Sequence, residues 1–222
     1  MKMISVLAFL CVLSTVCFSQ NPCPGIPTIT YEGKIYNTVQ IGNQCWLKEN
    51  LNVGSMINSK KTSSYNAIIE KYCYEDDTNN CNIYGGLYKW NEAMQYATIP
   101  RSKGICPDNW HIPTLDEFQT LKTNVNNSAI ALKANGQGIK TGEKKDSSGF
   151  SALLGGFRYK DDVMISNSLF YDLNYNTYFW SSTEYGGTYA YYMYIGDDFD
   201  NIFIGHRDYK KDYGFNIRCI KD

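Results

Sequence analysis

The alternation of apolar and polar residues predicts strands near both ends of this chain. Within residues 28–40, two short strands flank Glu32-Gly33-Lys34, and residues 45–47 follow as a buried strand or bridge. Near the carboxyl end, residues 188–195 form a strand-like run with aromatic side chains on both faces. Beyond this run the pattern predicts a turn and two further strands, at residues 197–201, 202–204 and 215–220.

Helical periodicity appears at two main places in the middle of the chain. The first predicted helix runs from about residue 87 or 89 to residue 97. The second starts at a capping box that is formed by Thr114 and Glu117. A third, shorter helix is predicted at residues 128–134, and the acidic stretch 74–80 is predicted to be a loop. Two main helices followed by an antiparallel β-meander predict an α+β domain.

The amino-terminal residues have the three parts of a secretory signal peptide. Lys2 supplies a positive charge, residues 4–16 are an almost unbroken apolar run, and cleavage is expected after residue 19. The run is too short to cross roughly 30 Å of hydrocarbon, and no second long apolar run follows. We therefore expect a secreted chain, extracellular or periplasmic, without a membrane span. The predicted organisation is a signal peptide at 1–19, an amino-terminal lead-in at 20–34 and one domain at 35–222.

The cysteine count fits export to an oxidising compartment. An even number of cysteines in an exported chain favours disulfides, although spacing alone does not choose among the pairings. The short gap between Cys73 and Cys81 favours a local bridge. No Cys-x-x-Cys pair occurs, and neither His111 nor His206 lies near a cysteine pair, so no metal site is predicted. Six cysteines follow the predicted signal peptide: Cys23, Cys45, Cys73, Cys81, Cys106 and Cys219.

Charge and composition narrow the class of partner. The chain has 21 basic and 22 acidic residues, a net charge of -1, and no basic patch, which argues against nucleic acid as a partner. It also has 19 tyrosines, and ten of them lie between residues 171 and 213. Tyrosine suits binding surfaces and equally suits plain β-sheet, so composition leaves both interpretations open.

Signatures of catalysis are weak in this sequence. His111 stands in a stiff segment that enters a helix, where a packed or capping histidine is the commoner role, and no Gly-x-Ser-x-Gly elbow is present. The spacing of the acidic residues singles out no carboxylate pair of the kind that glycoside hydrolysis needs. We therefore expect no catalysis and no catalytic residues.

A series of short motifs carries a family resemblance. The motifs lie at residues 39–44, 46–52, 73–74 with 80–81, 84–88, 104–114, 149–158, 179–184 and 214–219. In this order and spacing, they make residues 35–222 resemble the Fibrobacter succinogenes major paralogous domain, a bacterial extracellular family. Three residues depart from the pattern: Asn109 where the family tends to have Gly, Phe118 where it tends to have Trp, and Leu154 where it tends to have Pro.

The resemblance implies a fold and a disulfide pattern. The family looks similar to C-type lectin-like folds and to the formylglycine-generating-enzyme fold, so a disulfide-stapled, C-type lectin-like α+β fold is expected. By the same resemblance Cys106 pairs with Cys219 and Cys73 with Cys81, which leaves Cys23 for Cys45. A paired Cys219 also argues against the reactive-cysteine chemistry of the formylglycine-generating relatives. The helix faces and motif positions together predict one buried core: Trp90, Trp110, Phe118, Leu121, Phe150, Trp180 and Phe215.

The expected function is binding of a glycan or protein ligand through the tyrosine-rich carboxyl-terminal meander. One face of its strand is expected to pack on the core, which leaves one set of tyrosines free. Calcium-dependent lectin motifs are absent, no cofactor is predicted, and calcium at the acidic turns is the open alternative. A structural cell-surface component and a hydrolase of unassigned chemistry are the alternative functions. The predicted ligand-binding residues are Tyr185, Tyr189, Tyr191, Tyr192, Tyr194, Asp197, Asp198, Asp200, Asn201, His206 and Tyr209.

Overall fold

The computed structural model describes residues 23–138, 145–159 and 168–222. The predicted signal peptide at 1–19 and the first residues of the lead-in lie outside the described residues. Among the described residues, 35% lie in strands or bridges and 15% in helices.

The strands and helices of the described residues are short, apart from three strands and one helix. The strands are β1 (Thr28–Tyr31), β2 (Lys34–Ile41), β3 (Gln44–Leu47), β4 (Ser55–Met56), β5 (Glu70–Lys71), β6 (Trp110–His111), β7 (Gly155–Arg158), β8 (Phe170–Leu173), β9 (Asn176–Tyr185), β10 (Tyr189–Gly196), β11 (Phe203–Gly205) and β12 (Ile220–Lys221). The helices are α1 (Thr78–Tyr84), α2 (Trp90–Ala93), α3 (Leu115–Asn124) and α4 (Ala129–Leu132), and a 3₁₀ turn covers Tyr74–Asp76.

The strands of the described residues form two five-stranded sheets and one small pair. The first sheet has the order β1-β2-β3-β12-β6, so the carboxyl-terminal strand lies between two strands from the first half of the chain. Ile220 of β12 lies opposite Trp46 on one side and His111 on the other. The second sheet has the order β11-β10-β9-β7-β8, and β4 and β5 form a parallel pair.

The second sheet is buried on both of its faces. Along β9, Trp180 packs into one hydrophobic cluster and its neighbour Phe179 into another. Along β10, Tyr192 belongs to the first cluster and Met193 to the second. All seven residues predicted for the core are buried, but they divide between these two clusters rather than forming one.

The expected C-type lectin-like α+β fold with two main helices is wrong, because the structure is mostly β-sheet. The first predicted helix shrinks to α2, since Gln95 and Tyr96 adopt φ values of 49° and 62° and take the chain out of the helix. The carbonyl of Ala93 accepts a hydrogen bond from the amide of Ile105, which continues the chain in another direction. The structure also contains β7, β8 and β9 between residues 155 and 185, where no strand is predicted from the sequence.

Two local predictions are also wrong. The acidic stretch 74–80 was predicted as a loop, but α1 starts within it because the Asp77 side chain accepts a hydrogen bond from the Asn79 amide at 2.8 Å. The last strand was predicted at 215–220 but covers only β12. Before it, residues 214–216 pair singly with Arg158, Tyr88 and Phe179 instead of forming a ladder.

Other predictions are confirmed. Helix α3 begins at the predicted capping box, in which Thr114 and Glu117 each bond the other's backbone amide. The structure contains the bridges Cys23–Cys45, Cys73–Cys81 and Cys106–Cys219, the pairs that the resemblance implied. Three disulfides fit a compartment outside the cytoplasm. Across the described residues, no helix is long and apolar enough to cross a membrane.

Candidate functional site

The structure separates the predicted ligand-binding residues into three places. Tyr192, Tyr194 and Tyr209 lie on one face of the second sheet. Tyr189 and Tyr191 lie on its opposite face, where the ring of Tyr191 contacts the rings of Tyr185 and His206. The third place is the turn after β10, which carries Asp197, Asp198, Asp200 and Asn201.

The first place is part of the core. Tyr192 is buried and donates a hydrogen bond to Asp208 at 2.8 Å. Burial, with that bond, raises the pKa of Tyr192 above its usual value. Tyr194 stacks on Tyr178, and Tyr209 packs against the same ring. On the opposite face of β10, Met193 and Ile195 are buried in the second cluster, and the two tyrosines, Tyr189 and Tyr191, are half-buried.

The second place is open to solvent along one side. Tyr185, Tyr191 and His206 form a ring cluster, with the imidazole 4.1 Å from the first ring and 4.9 Å from the second, measured between centroids. The pairing of β9 with β10 shifts between Ala190 and Tyr192, at the position of Tyr191. Irregularities of this kind change the direction in which a side chain leaves the sheet. We call these three residues the aromatic trio.

A groove of roughly 770 Å³ runs beside the aromatic trio, between α3 and the strands β10 and β11. Tyr191, His206 and Ile204 form its sheet wall, and the outer face of α3 forms the other wall. That outer face presents the polar side chains of Gln119 and Lys122. Sequence reasoning missed this wall, although positions 119 and 122 alternate with the apolar positions Phe118 and Leu121, which indicates an outward polar face.

Several polar groups in the groove have no hydrogen-bond partner within the described part of the chain. They are the side chains of Gln119, Lys122, Asn126 and His206. Asn127, by contrast, is committed, because its amide donates to Asn201 at 2.8 Å and its oxygen accepts from the Ile202 amide. The groove therefore combines aromatic faces with polar groups that remain available to a ligand.

The third place serves the structure of the fold. The carboxylate of Asp200 accepts hydrogen bonds from Ser128 and from the amide of Ile130, at the start of α4. The buried ammonium of Lys133 donates to the carbonyl of Gly196 at 2.8 Å and contacts that of Asp197 at 3.3 Å. Over the residues that the structure describes, no group of three or more His, Cys, Asp or Glu side chains is arranged to hold a metal ion.

His111 is held on both sides of its ring. Its Nδ1 lies 2.6 Å from Asp222, and its Nε2 lies 2.9 Å from the carboxylate of Glu117. The ring is buried, with 1% of its surface exposed. Both nitrogens are engaged by carboxylates, so neither is available to activate a nucleophile in this arrangement.

The sequence motifs pack against one another through a buried cation. Arg218, in the last motif, donates two hydrogen bonds to Asn50 and one to the carbonyl of Phe150. Two residues earlier in the same motif, the side chain of Asn216 donates to the carbonyl of Gly86 at 3.0 Å. The backbone carbonyl of Asn216 accepts a hydrogen bond from the amide of Trp180. Motifs from distant parts of the chain therefore form one connected network.

The model of the Fibrobacter succinogenes major domain matches residues 39–221 of this chain. The chain belongs to that family. The match covers both sheets from within β2 to β12, together with all four described helices, the aromatic trio and the motif network. Comparison with curated proteins and with solved structures gives no significant match.

Proposed function

We propose that this member of the Fibrobacter succinogenes major domain family is a secreted binding module that holds a glycan in the groove beside the aromatic trio, without catalysis. The observation that carries the proposal is the juxtaposition of half-exposed aromatic rings with unpaired polar side chains. Pockets for small polar ligands combine these two elements, apolar faces for area and a few polar groups for orientation.

The chemistry of the groove suits a sugar. The rings of Tyr191 and His206 offer flat faces to the C–H surface of a pyranose. The amides of Gln119 and Asn126 can each donate to and accept from hydroxyl groups. Lys122 adds a donor at the same wall. A neutral sugar can contact all of these groups, and its binding brings no additional charge into the groove.

Secretion is supported by two independent features. The residues before the described part have the charge, apolar run and small residues of a signal peptide. The three disulfides are of the kind that persists in oxidising compartments. A glycan ligand outside the cytoplasm is consistent with both.

The test begins with a glycan array probed with the chain lacking residues 1–19, followed by calorimetric titration of the best ligand. Tyr191→Ala and His206→Ala should each weaken binding by about tenfold or more, because each removes a ring face from the groove. The melting temperature should change little, since both residues are half exposed. Tyr175→Ala is the matched control, because Tyr175 is 64% exposed and lies outside the groove.

Three outcomes would contradict the proposal. Binding that survives Tyr191→Ala and His206→Ala would place the ligand elsewhere. A response to proteins alone, with no glycan bound, would replace the sugar by a protein ligand. Turnover of the bound glycan would replace binding by catalysis. Binding should also persist in a chelator, because Asp200 is already committed to α4.

A further inference from the structure

A second cavity, of roughly 370 Å³, lies between β2, the segment that follows β3, and α1. Its wall includes Lys34, Lys48, Asn52, Ile83 and Arg218. None of these residues lines the groove beside the aromatic trio. The cavity is within the size range of sites for small ligands.

The cavity wall carries an excess of positive charge. Lys34, Lys48 and Arg218 contribute three cations, and Glu49 contributes one carboxylate. Both oxygens of Glu49 are occupied by Asn37, whose backbone and side-chain amides donate at 2.8 and 2.7 Å. The hydrogen bonds of Arg218 go to neutral oxygens only. No described carboxylate therefore contacts the cations of this wall directly.

The charge of Lys34 also acts on a neighbour. Burial, together with the nearby charge of Lys34, lowers the pKa of Lys71 to about 8. Like charges in a partly buried place repel one another, and an anion between or beside them relieves that repulsion. The surroundings of Lys34 therefore favour a negatively charged group.

A buried acceptor in the same wall has no partner. Asn52 is 8% exposed, and its amide nitrogen donates to the carbonyl of Cys81 at 2.7 Å. Its side-chain oxygen is buried and accepts no hydrogen bond from any described residue. A buried acceptor without a donor is unfavourable, and a hydroxyl group brought by a ligand would supply the donor.

The cavity also has an aliphatic rim. Ile35 and Ile83, both among its lining residues, are 69% and 58% exposed. Exposed isoleucines at the mouth of a polar cavity offer a surface for C–H groups. The ligand that fits therefore combines an anionic group, a hydroxyl donor and an aliphatic face.

We propose that this cavity binds a hexuronic acid, with its carboxylate between Lys34 and Lys48 and a hydroxyl donated to Asn52. The site is independent of the proposed groove, since the two share no residue. The acid can be a free monosaccharide or the end of an acidic polysaccharide, because both present the same groups.

The test is calorimetric titration of the chain lacking residues 1–19 with glucuronic acid, with an oligomer of galacturonic acid, with glucose and with inorganic sulfate. Glucuronic acid should bind at least about tenfold more tightly than glucose and sulfate. The double variant Lys34→Gln/Lys48→Gln should weaken that binding by about tenfold or more, with an unchanged melting temperature. Lys60→Gln is the matched control, because Lys60 is exposed and lines neither cavity.

The outcomes separate this site from the groove. Tyr191→Ala should leave glucuronic acid binding unchanged, so failure of the groove leaves this result intact. Tighter binding of the oligomer than of the monomer would identify a polysaccharide end as the source, and equal binding would identify the free acid. Sulfate binding as tight as glucuronic acid binding, or loss of binding with Lys60→Gln as with the double variant, would overturn the proposal.

Discussion

The side-chain oxygen of Asn50 accepts hydrogen bonds from both Nε and Nη2 of Arg218, at 3.0 and 2.6 Å, across 168 residues of sequence. The guanidinium is fully buried, and burial lowers the pKa of Arg218 to about 9. Its Nη1 donates to the carbonyls of Leu47 and Phe150, and the group lies 4.4 Å from the centre of the Phe150 ring. Neutral oxygens thus solvate a charge that has left water.

We expect Asn50→Ala to destabilise the fold by about 3 kcal/mol, because two charged donors lose their acceptor in a buried place. Urea melts of the single variants Asn50→Ala and Arg218→Met and of the double variant measure this. The double variant should lose less free energy of unfolding than the sum of the two single losses, because neither side chain is left buried without its partner. Asn43→Ala, at an exposed amide, is the control. Strict additivity would show that the two side chains are not coupled.

Helix α3 could be predicted from sequence because its signal is local. Thr114 and Glu117 bond each other's backbone three residues apart, and the apolar face repeats with the helical period. Helix α2 could not be predicted in length, since its end depends on the bond between Ile105 and Ala93 and on left-handed backbone after it. Asn109 also adopts φ of 64°, which accounts for glycine in the family at that position.

The candidate site was predictable only in part. The tyrosines of β10 identify a strand, but the strand pattern does not show that both faces are covered by separate clusters. The meeting of Tyr191 with His206 depends on the shifted pairing near Ala190, which has no local signature. The contribution of α3 to the groove depends on packing between elements about 70 residues apart in the chain. Cavities of this kind follow from tertiary structure alone.

The long-range disulfide should contribute more to stability than the local one. Cys106 and Cys219 are separated by 113 residues, and Cys73 and Cys81 by 8. In the chain-entropy model the first bridge contributes about 5 kcal/mol and the second about 3 kcal/mol. Replacement of each pair by alanines, followed by urea melts, measures both. Equal losses would show that entropy of the unfolded chain does not decide the difference.

Trp180 should be among the costliest positions to truncate. Its ring is buried at 4.2 Å from that of Phe215, and its indole N–H donates to the carbonyl of Tyr88 at 2.9 Å. Trp180→Ala should reduce the free energy of unfolding by about 3–5 kcal/mol, since it leaves a large cavity in the core. Tyr175→Ala, at an exposed ring, should cost little. A loss below about 1 kcal/mol for Trp180→Ala would show that the Trp180 ring is not buried in the core.

The carboxylate of Glu117 should make stability depend on acid pH. Burial alone raises its pKa, but hydrogen bonds from His111 and Thr114 outweigh burial, so the pKa of Glu117 lies below its usual value of 4.5. The folded chain therefore binds fewer protons at this group than the unfolded chain does. The stabilisation is complete above pH 4.5 and is lost as the pH falls through the lowered pKa.

Glu117→Gln keeps the shape of the capping side chain and removes this charge. We expect wild type to melt at a higher temperature than Glu117→Gln at neutral pH, and the difference to shrink as the pH falls below 4.5. Melting temperatures from pH 7 down to about pH 3 measure the trend. Asp116→Asn, at the exposed neighbouring carboxylate, should show no comparable trend. A constant difference across the whole range would mean that the charge of Glu117 does not stabilise the junction of α3 with His111.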